Sequence, residues 1–484
     1  MKEEPKRIIF RSTPIILLLI LPLICVGVDF VWGNTIHFKR CNSTFVYMFS
    51  YPKASTMANF EFLEFTGTQY FSSSETDFSG TVNPTVEEPE SLEFLLSRLV
   101  RGKDRRNLEA TGFACDKTVH SVVCVANQPV RIDTSNMTVY VFSDGVGEQE
   151  TVVRPYARQE DNLKVITPVH ILKGNATSLA CLHNHSVPAV IFSSGTTGNV
   201  FHEINEIIIP LFITSKHFQS RVLFILEDYK PSFMSKYGKV MSHLSDYVVM
   251  NPAANGSVHC FPGSVIGLKY HDNLALNASD IPGGHSMREF RHFLREAFGL
   301  RFRHVSQIKK PRLMLLSRRN TRRFLNENEM VMMMEELGFQ VIVVARSKMI
   351  SNLNKFSLLI NSCSVLVGAH GAGLTNELFL PSGAVMVQVE LLGTEWPSNT
   401  YYGDTARPMG VHYLRYKIDP EESTLLKLYG RNHSVITDPG YLFRKGGYRA
   451  ARTVFLDQQN VRINLARFRN TLVQALSLVT YSNF

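Results

Sequence analysis

Short apolar runs alternate with longer amphipathic stretches over most of the chain, from about Cys115 to the C-terminus. Val130 to Ile132 and Thr138 to Phe142 read as strands joined by polar turn residues. Pro188-Ala-Val-Ile-Phe-Ser reads as a buried strand, and Gly195-Thr-Thr-Gly opens a turn after it. Asn199 to Phe218 carries a helical pattern in which Pro210 is expected to make a kink. Val222 to Leu226 and Tyr247 to Met250 are strand-like, with a helix over Lys236 to Leu244 between them, and Val258 to Lys269 is extended. Ser286 to Phe298 is an amphipathic helix stopped by Gly299. Alternation of this kind implies an α/β fold, with a parallel sheet covered on both faces.

A second alternation opens at Pro311. Arg312 to Leu316 is a strand ending in Ser317-Arg318-Arg319. Asn326 and Glu329 have capping-box spacing for a helix Glu327 to Leu337, which Gly338 stops. Met330 and Met332 to Met334 read as core filler on that helix. Gln340 to Ala345 is the next strand and Asn352 to Ile360 the next helix. Ser364 to Val367 is a buried strand, followed by Gly368-Ala-His-Gly-Ala-Gly and a short helix over Leu374 to Leu380. Pro381 and Gly383 end that helix, and Ala384 to Val389 forms another strand with Glu390 at its carboxyl end. Strand, glycine turn, helix and strand make half of a doubly wound fold, in which ligands sit at the carboxyl ends of strands. Amides of Gly371, Ala372 and Gly373 at a helix N-terminus suit a phosphate, with His370 standing over it. A long helix over Asn460 to Val479 closes the chain.

Length changes the picture first, because 484 residues suggest two domains plus extras, and 44% hydrophobic residues can fill both cores. The formal charge of +9 is spread out. Its tightest clusters, Arg101 to Arg106 and Arg318 to Arg323, are short and lack interleaved aromatics. They read as a solvated stem and an anion site, and no nucleic-acid surface is expected. Lys2, Lys6, Arg7 and Arg11 precede an apolar run from Pro14 to Val28 that resumes at Phe30 to Trp32. A single-pass signal anchor over 14–32 is favoured there over a cleaved signal peptide, with a cytosolic tail 1–13 and the rest lumenal. Residues 33–110, rich in Ser, Thr, Glu and Pro, read as a stem before domains at 111–310 and 311–484. Sequons at Asn42, Asn136, Asn175, Asn184, Asn255, Asn277 and Asn432 agree with a lumenal address. Cys115 and Cys124 could close a hairpin loop, whereas Cys181 and Cys363 stay open between disulfides and buried thiols.

Two Rossmann-like halves facing across a cleft are the layout of a nucleotide-sugar glycosyltransferase of the GT-B type. A dinucleotide oxidoreductase would need Gly-x-Gly-x-x-Gly after its first strand, which neither half supplies. Three ordered motifs then carry a specific resemblance: Phe192-Ser-Ser-Gly-Thr-Thr-Gly-Asn-Val-Phe-His-Glu-Ile-Asn-Glu, Leu315-Leu-Ser-Arg-Arg-Asn-Thr-Arg and Gly368-Ala-His-Gly-Ala-Gly-Leu-Thr-Asn. The chain resembles the plant branch of glycosyltransferase family 61 from about Cys115 onward. The resemblance implies an inverting enzyme of the Golgi membrane with type II topology and a GT-B fold. It implies UDP-arabinofuranose or UDP-xylose as donor and xylan or another glycan as acceptor, and it leaves room for a homo- or hetero-oligomer. The alternatives are an N-glycan β-1,2-xylosyltransferase and a non-catalytic glycan-binding protein of the same fold.

Inverting transfer needs a base for the acceptor hydroxyl and cationic or backbone donors for the departing diphosphate. Arg318 and Arg319 at a strand's carboxyl end suit the diphosphate. His202 and Glu206 are four apart on one helix face, with Glu203 beside them. The family pattern favours Glu206 as the base with His202 next to it, and Glu203 and His370 are the other candidates. Glu390 suits ribose hydroxyls, Asn376 could cap the turn or touch the diphosphate, and Trp396 could stack on a sugar or on uracil. An Asp-x-Asp pattern is missing from the chain beyond the apolar run, so no metal or other cofactor is expected.

Overall fold

The computed structural model describes residues 26–27, 39–40 and 90–481, apart from 119, 144–148, 159–164, 175–178, 196, 255 and 346–351. The chain divides after Val46 into two units. In the first, strand β1 (Val26–Gly27) pairs antiparallel with β2 (Lys39–Arg40). That strand interrupts the apolar run in which a continuous spanning helix was expected. No helix among the described residues is long and apolar enough to cross a membrane. The expected Golgi membrane location, resting on an anchor over 14–32, is therefore corrected, although the rest of that segment lies outside the described residues. The tail 1–13, the stem up to residue 89 except 39–40, Cys41 and the sequons at Asn42, Asn175 and Asn255 also lie outside them.

Among the described residues the second unit is mixed α/β with three sheets. It starts earlier than the stem expected through residue 110. Helices Leu92–Ser97 and Gly102–Thr111 and the turn between them bury Leu95, Leu96, Leu99, Val100 and Leu108 in the main core. Strands β3 (Phe113–Lys117), β4 (Val122–Ala126), β10 (Ala189–Phe192), β11 (Leu223–Leu226) and β13 (Ser264–Ile266) form a sheet ordered β11-β10-β13-β4-β3. Its β11, β10 and β13 run parallel. A six-stranded sheet comprises β5 (Val130–Asp133), β6 (Thr138–Phe142), β7 (Gln149–Val153), β8 (Val169–Gly174), β9 (His183–Asn184) and β12 (Val258–Phe261). Disulfides join Cys115 to Cys124 across β3 and β4 and Cys181 to Cys260 near β9 and β12, while Cys363 is a buried free thiol. Tyr247 to Met250 is not a strand, and only Met250 bridges to Ile225.

The third sheet is wholly parallel and ordered β15-β14-β16-β17-β18, from β14 (Arg312–Leu316), β15 (Gln340–Val344), β16 (Val365–Ala369), β17 (Val385–Glu390) and β18 (His412–Lys417). The chain leaves β14 toward one edge and then returns to build β16, β17 and β18 on the other side. The crevice between the carboxyl ends of β14 and β16 is thus the topological switch point, where such sheets bind ligands.

Strand alternation decides which core each residue enters. In-register Met314, Leu366 and Met386 face the main core, whereas Leu313, Leu315, Val365, Val367, Val385 and Val387 face a second core under helix Leu465–Tyr481. On β10, Val190 and Phe192 enter that same main core, and Ala189 and Ile191 enter a third core toward the six-stranded sheet. Helices Pro231–Leu244, Met287–Phe298 and Leu353–Asn361 pack on one another within the main core. One continuous apolar core therefore joins the two α/β halves. Each fully buried Leu, Met or Phe there contributes roughly 1.5–3 kcal/mol.

Local departures from expectation have identifiable causes. Ser286 and Glu289 do form a capping box, and Gly299 ends that helix in the left-handed region. Asn326 does not cap its helix. Its amide instead donates to the Ile463 carbonyl and accepts from the Ile463 N–H, both at 2.9 Å. Met330, Met333 and Met334 are buried, but Met332 is exposed. Between Asn199 and Phe218 the helix is irregular just before Pro210. The α-turn Val200–Glu203 passes into a π-turn over Ile204–Ile208 before the helix Ile209–Ser215. The wide turn accommodates Pro210, which has no N–H for the carbonyl of Glu206 and whose ring would crowd it.

Candidate active site

One bank of the site stands on the π-turn. Glu206 has no exposed surface. Tyr156 donates its hydroxyl to Glu206 Oε2 at 2.7 Å, His202 Nδ1 lies 2.6 Å from Oε1, and Arg158 approaches Oε1 at 3.8 Å. Since a carboxylate only accepts, His202 must present Nδ1–H to it, which puts the proton-accepting lone pair on Nε2. His202 retains some exposure, whereas Glu206 has none. Glu203 faces elsewhere. It accepts from the Gly198 N–H (2.8 Å) and the Tyr237 hydroxyl (2.8 Å) and pairs with Lys236. It thereby ties the turn after β10 to helix Pro231–Leu244, which removes it as a base.

The glycine turn after β10 holds this bank in shape. Ser194 donates through its N–H and hydroxyl to Asp228, and Lys230 bridges Asp228 to the Gly195 carbonyl. Gly195 has φ +50°, and a Cβ there would lie 2.4 Å from the Tyr156 ring. The glycine thus makes room for the tyrosine that holds Glu206.

The second bank lies at the switch point. Arg318 follows β14 and donates Nε–H to the Thr321 carbonyl (3.0 Å). Arg322 donates to the His370 carbonyl (2.9 Å), and its Nε is buried without a partner. Gly371, with φ +149°, caps the 3₁₀ helix Ala372–Phe379, and a Cβ on it would lie 2.7 Å from Arg322 and 3.0 Å from Arg318. Two like-charged guanidiniums therefore converge on the glycine turn. Burial and the neighbouring Arg318 lower the Arg322 pKa to about 10. That concentration of positive charge fits an anion.

His370 is buried beside them. Gln388 donates to its Nδ1 at 2.9 Å, so Nε2 carries the proton and the ring is a donor rather than a base. Burial, with Arg322 and Arg318 nearby, lowers its pKa to about 3. Tyr402 donates to the Gly371 carbonyl (3.0 Å) and meets the His370 ring edge-on. Ala372 and Gly373 open the 3₁₀ helix, and Asn376 within it donates back to the Gly373 carbonyl (2.9 Å). Arg319, expected beside Arg318, is exposed and plays no visible part. Glu390 is buried at the end of β17, where burial raises its pKa and Arg415 at 3.3 Å opposes the rise.

Consecutive residues bind the banks together, since Tyr402 reaches Gly371 while Tyr401 packs on Phe201, the neighbour of His202. Sequence reasoning missed Tyr156, Arg158, Gln388 and Tyr402, which reach the site through tertiary closure. Arg322 had a signal, because it belongs to the basic cluster read as an anion site.

An α/β molecule that carries an imidazole–carboxylate pair and an arginine-lined switch point has the parts of a group-transfer enzyme. The family profile described as Glycosyltransferase 61 matches residues 189–387, and the chain belongs to this family. It is 37% identical over 366 residues to the alpha-1,3-arabinosyltransferase XAT3 of Oryza sativa subsp. japonica, covering 73% of this chain and 63% of that protein. It is 33% identical over 392 residues to the xylan glycosyltransferase MUCI21 of Arabidopsis thaliana, covering 75% and 78%. Identity to the rice beta-1,2-xylosyltransferase XAX1 is 36% over 371 residues, covering 73% and 65%. The chain thus spans less than two thirds of the length of both rice relatives.

Proposed function

We propose that this chain is an inverting pentosyltransferase that moves arabinofuranose or xylose from a UDP-sugar to a xylan-type acceptor. The observation that carries the reading is the His202–Glu206 pair linked, through Phe201, Tyr401 and Tyr402, to the glycine turn on which Arg318 and Arg322 converge. His202 Nε2 takes the acceptor hydroxyl proton, and Glu206 fixes the Nδ1–H tautomer, as a carboxylate does behind a catalytic imidazole. This moves the base from Glu206, favoured by sequence, to the more accessible partner. The acceptor oxygen forms its bond to the anomeric carbon as the bond to the diphosphate oxygen breaks, and UDP leaves with that electron pair. Arg318, Arg322, the amides of Gly371 to Gly373 and His370 Nε2–H stabilise the departing charge, so no metal is required. Glu390, at the carboxyl end of β17, accepts from the ribose hydroxyls in this reading. The two halves, about 91–310 and 311–484, are taken as the acceptor-side and nucleotide-sugar domains of a GT-B fold. The names of XAT3, MUCI21 and XAX1 support pentose and xylan chemistry.

The test is a donor-by-acceptor screen with the purified full chain. UDP-arabinofuranose and UDP-xylose are offered with xylo-oligosaccharides and N-glycans, and products are scored by linkage analysis. Pentose transfer to xylo-oligosaccharide is expected, and transfer only to N-glycan would select the other acceptor. UDP binding without transfer from either donor would overturn the enzyme reading in favour of a glycan-binding protein.

A further inference from the structure

We propose that the exposed face of Trp396, backed by Tyr401, is a stacking platform for a sugar ring of an oligomeric acceptor at a distance from the reacting hydroxyl. The proposal rests on the function proposed above. Trp396 lies just beyond β17 on the short helix Glu395–Ser398 and keeps 48% of its surface exposed. Tyr401 meets it edge-on, with centroids 5.6 Å apart. Tyr401 in turn tilts against Phe201 at 4.9 Å, and Phe201 stands edge-on to His202 at 5.4 Å. A row of rings therefore runs from solvent to the imidazole that is bonded to Glu206.

Tyr401 and Phe201 are largely covered, whereas nearly half of the Trp396 surface is open to water. The C–H faces of a pyranose match such an aromatic surface. Each ring-to-ring step is close to the length of one sugar unit. A monosaccharide or disaccharide seated at His202 would leave Trp396 uncovered, and a longer chain would reach it. The competing occupant, the donor's uracil, would require Trp396 to serve the nucleotide bank, yet its ring contacts lead to His202.

The experiment measures acceptor KM for xylobiose and xylohexaose, together with the Kd for UDP, in wild type, Trp396→Ala and Trp396→Phe. A lost stacking contact predicts that Trp396→Ala raises KM for xylohexaose about tenfold. Little change is expected with xylobiose, UDP Kd should stay within about twofold, and Trp396→Phe should recover most of the loss. In a Trp32→Phe background, which leaves Trp396 as the sole tryptophan, xylohexaose should shift the indole emission and xylobiose should not. A tenfold rise in UDP Kd with acceptor KM unmoved would overturn the proposal and assign the platform to the nucleobase. Equal KM values in all three proteins, with emission insensitive to xylohexaose, would also overturn it. Absence of transfer by wild type to any xylo-oligosaccharide would remove the parent reading, and the platform with it.

Discussion

Glu206 has no exposed surface while His202 keeps some, and that difference decides which of them can meet an acceptor hydroxyl. The two assignments separate by chemical rescue. If His202 is the base, His202→Ala should lose roughly 10²–10⁴-fold in turnover, and added imidazole should restore part of it. Formate should restore nothing to Glu206→Ala beyond a modest repositioning of the ring. Strong recovery of Glu206→Ala by formate, with His202→Ala indifferent to imidazole, would return the base to Glu206. Neither variant should weaken UDP, because both residues lie on the other bank. Among the arginines the contrast is sharper. Arg322→Ala should weaken UDP by roughly 1.5–3 kcal/mol, the worth of a charge-assisted hydrogen bond. Arg319→Ala, which removes only an exposed side chain, should leave UDP affinity within calorimetric error.

The helix Glu327–Glu336 shows how a correct element can come with a wrong reason. Asn326 and Glu329 have capping-box spacing, but the Asn326 amide closes a two-way bond to Ile463 and Glu329 pairs on the surface with Arg462 at 2.9 Å. Asn326→Ala should therefore destabilise by about 1–3 kcal/mol, since it strands buried backbone groups at residue 463. Glu329→Gln should change stability by less than about 1 kcal/mol, as exposed ion pairs do. Urea unfolding of the two variants checks both figures. Strands such as Arg312–Leu316 and Thr138–Phe142 were legible to the residue, because apolar runs and turn residues are local signals. The glycine turn at 368–373 was legible for the same reason. Tyr156 was not, for it meets Glu206 fifty positions away and leaves no spacing to find. What does remain in the sequence is its imprint, the glycine at 195 that yields room to its ring. Gly195→Ala should thus lower turnover while sparing UDP affinity, an outcome that separates it from changes in the glycine turn at 371.

Two kinds of buried group set the pH response of the molecule as a whole. His217 and His370 are held neutral, with burial as the main cause, and their pKa values fall to about 4 and about 3. Unfolded, each titrates near its ordinary value of about 6.5. Between these values the unfolded chain binds more protons, so their stabilisation is complete above about pH 6.5 and is lost as pH falls. The slope is at most about 1.4 kcal/mol per pH unit for each group. Glu377 works in the opposite sense. It is fully buried, neither carboxyl oxygen has a hydrogen-bond partner, and burial raises its pKa well above the usual range despite Arg291 nearby. The folded chain keeps that proton after the unfolded chain has released it. Glu377 therefore costs stability increasingly as pH rises above the ordinary carboxyl value. Glu377→Gln retains the shape of the neutral acid and removes the titration. Unfolding free energies measured from pH 4 to 8 should show the variant equal to wild type near pH 4 and progressively more stable toward pH 8. The wild type should still lose stability from pH 6.5 downward through its histidines, and His217→Phe should make that limb shallower while leaving the alkaline side unchanged. A Glu377→Gln variant whose stability parallels wild type at every pH would mean that Glu377 is ionised in the fold, with its charge borne by Arg291.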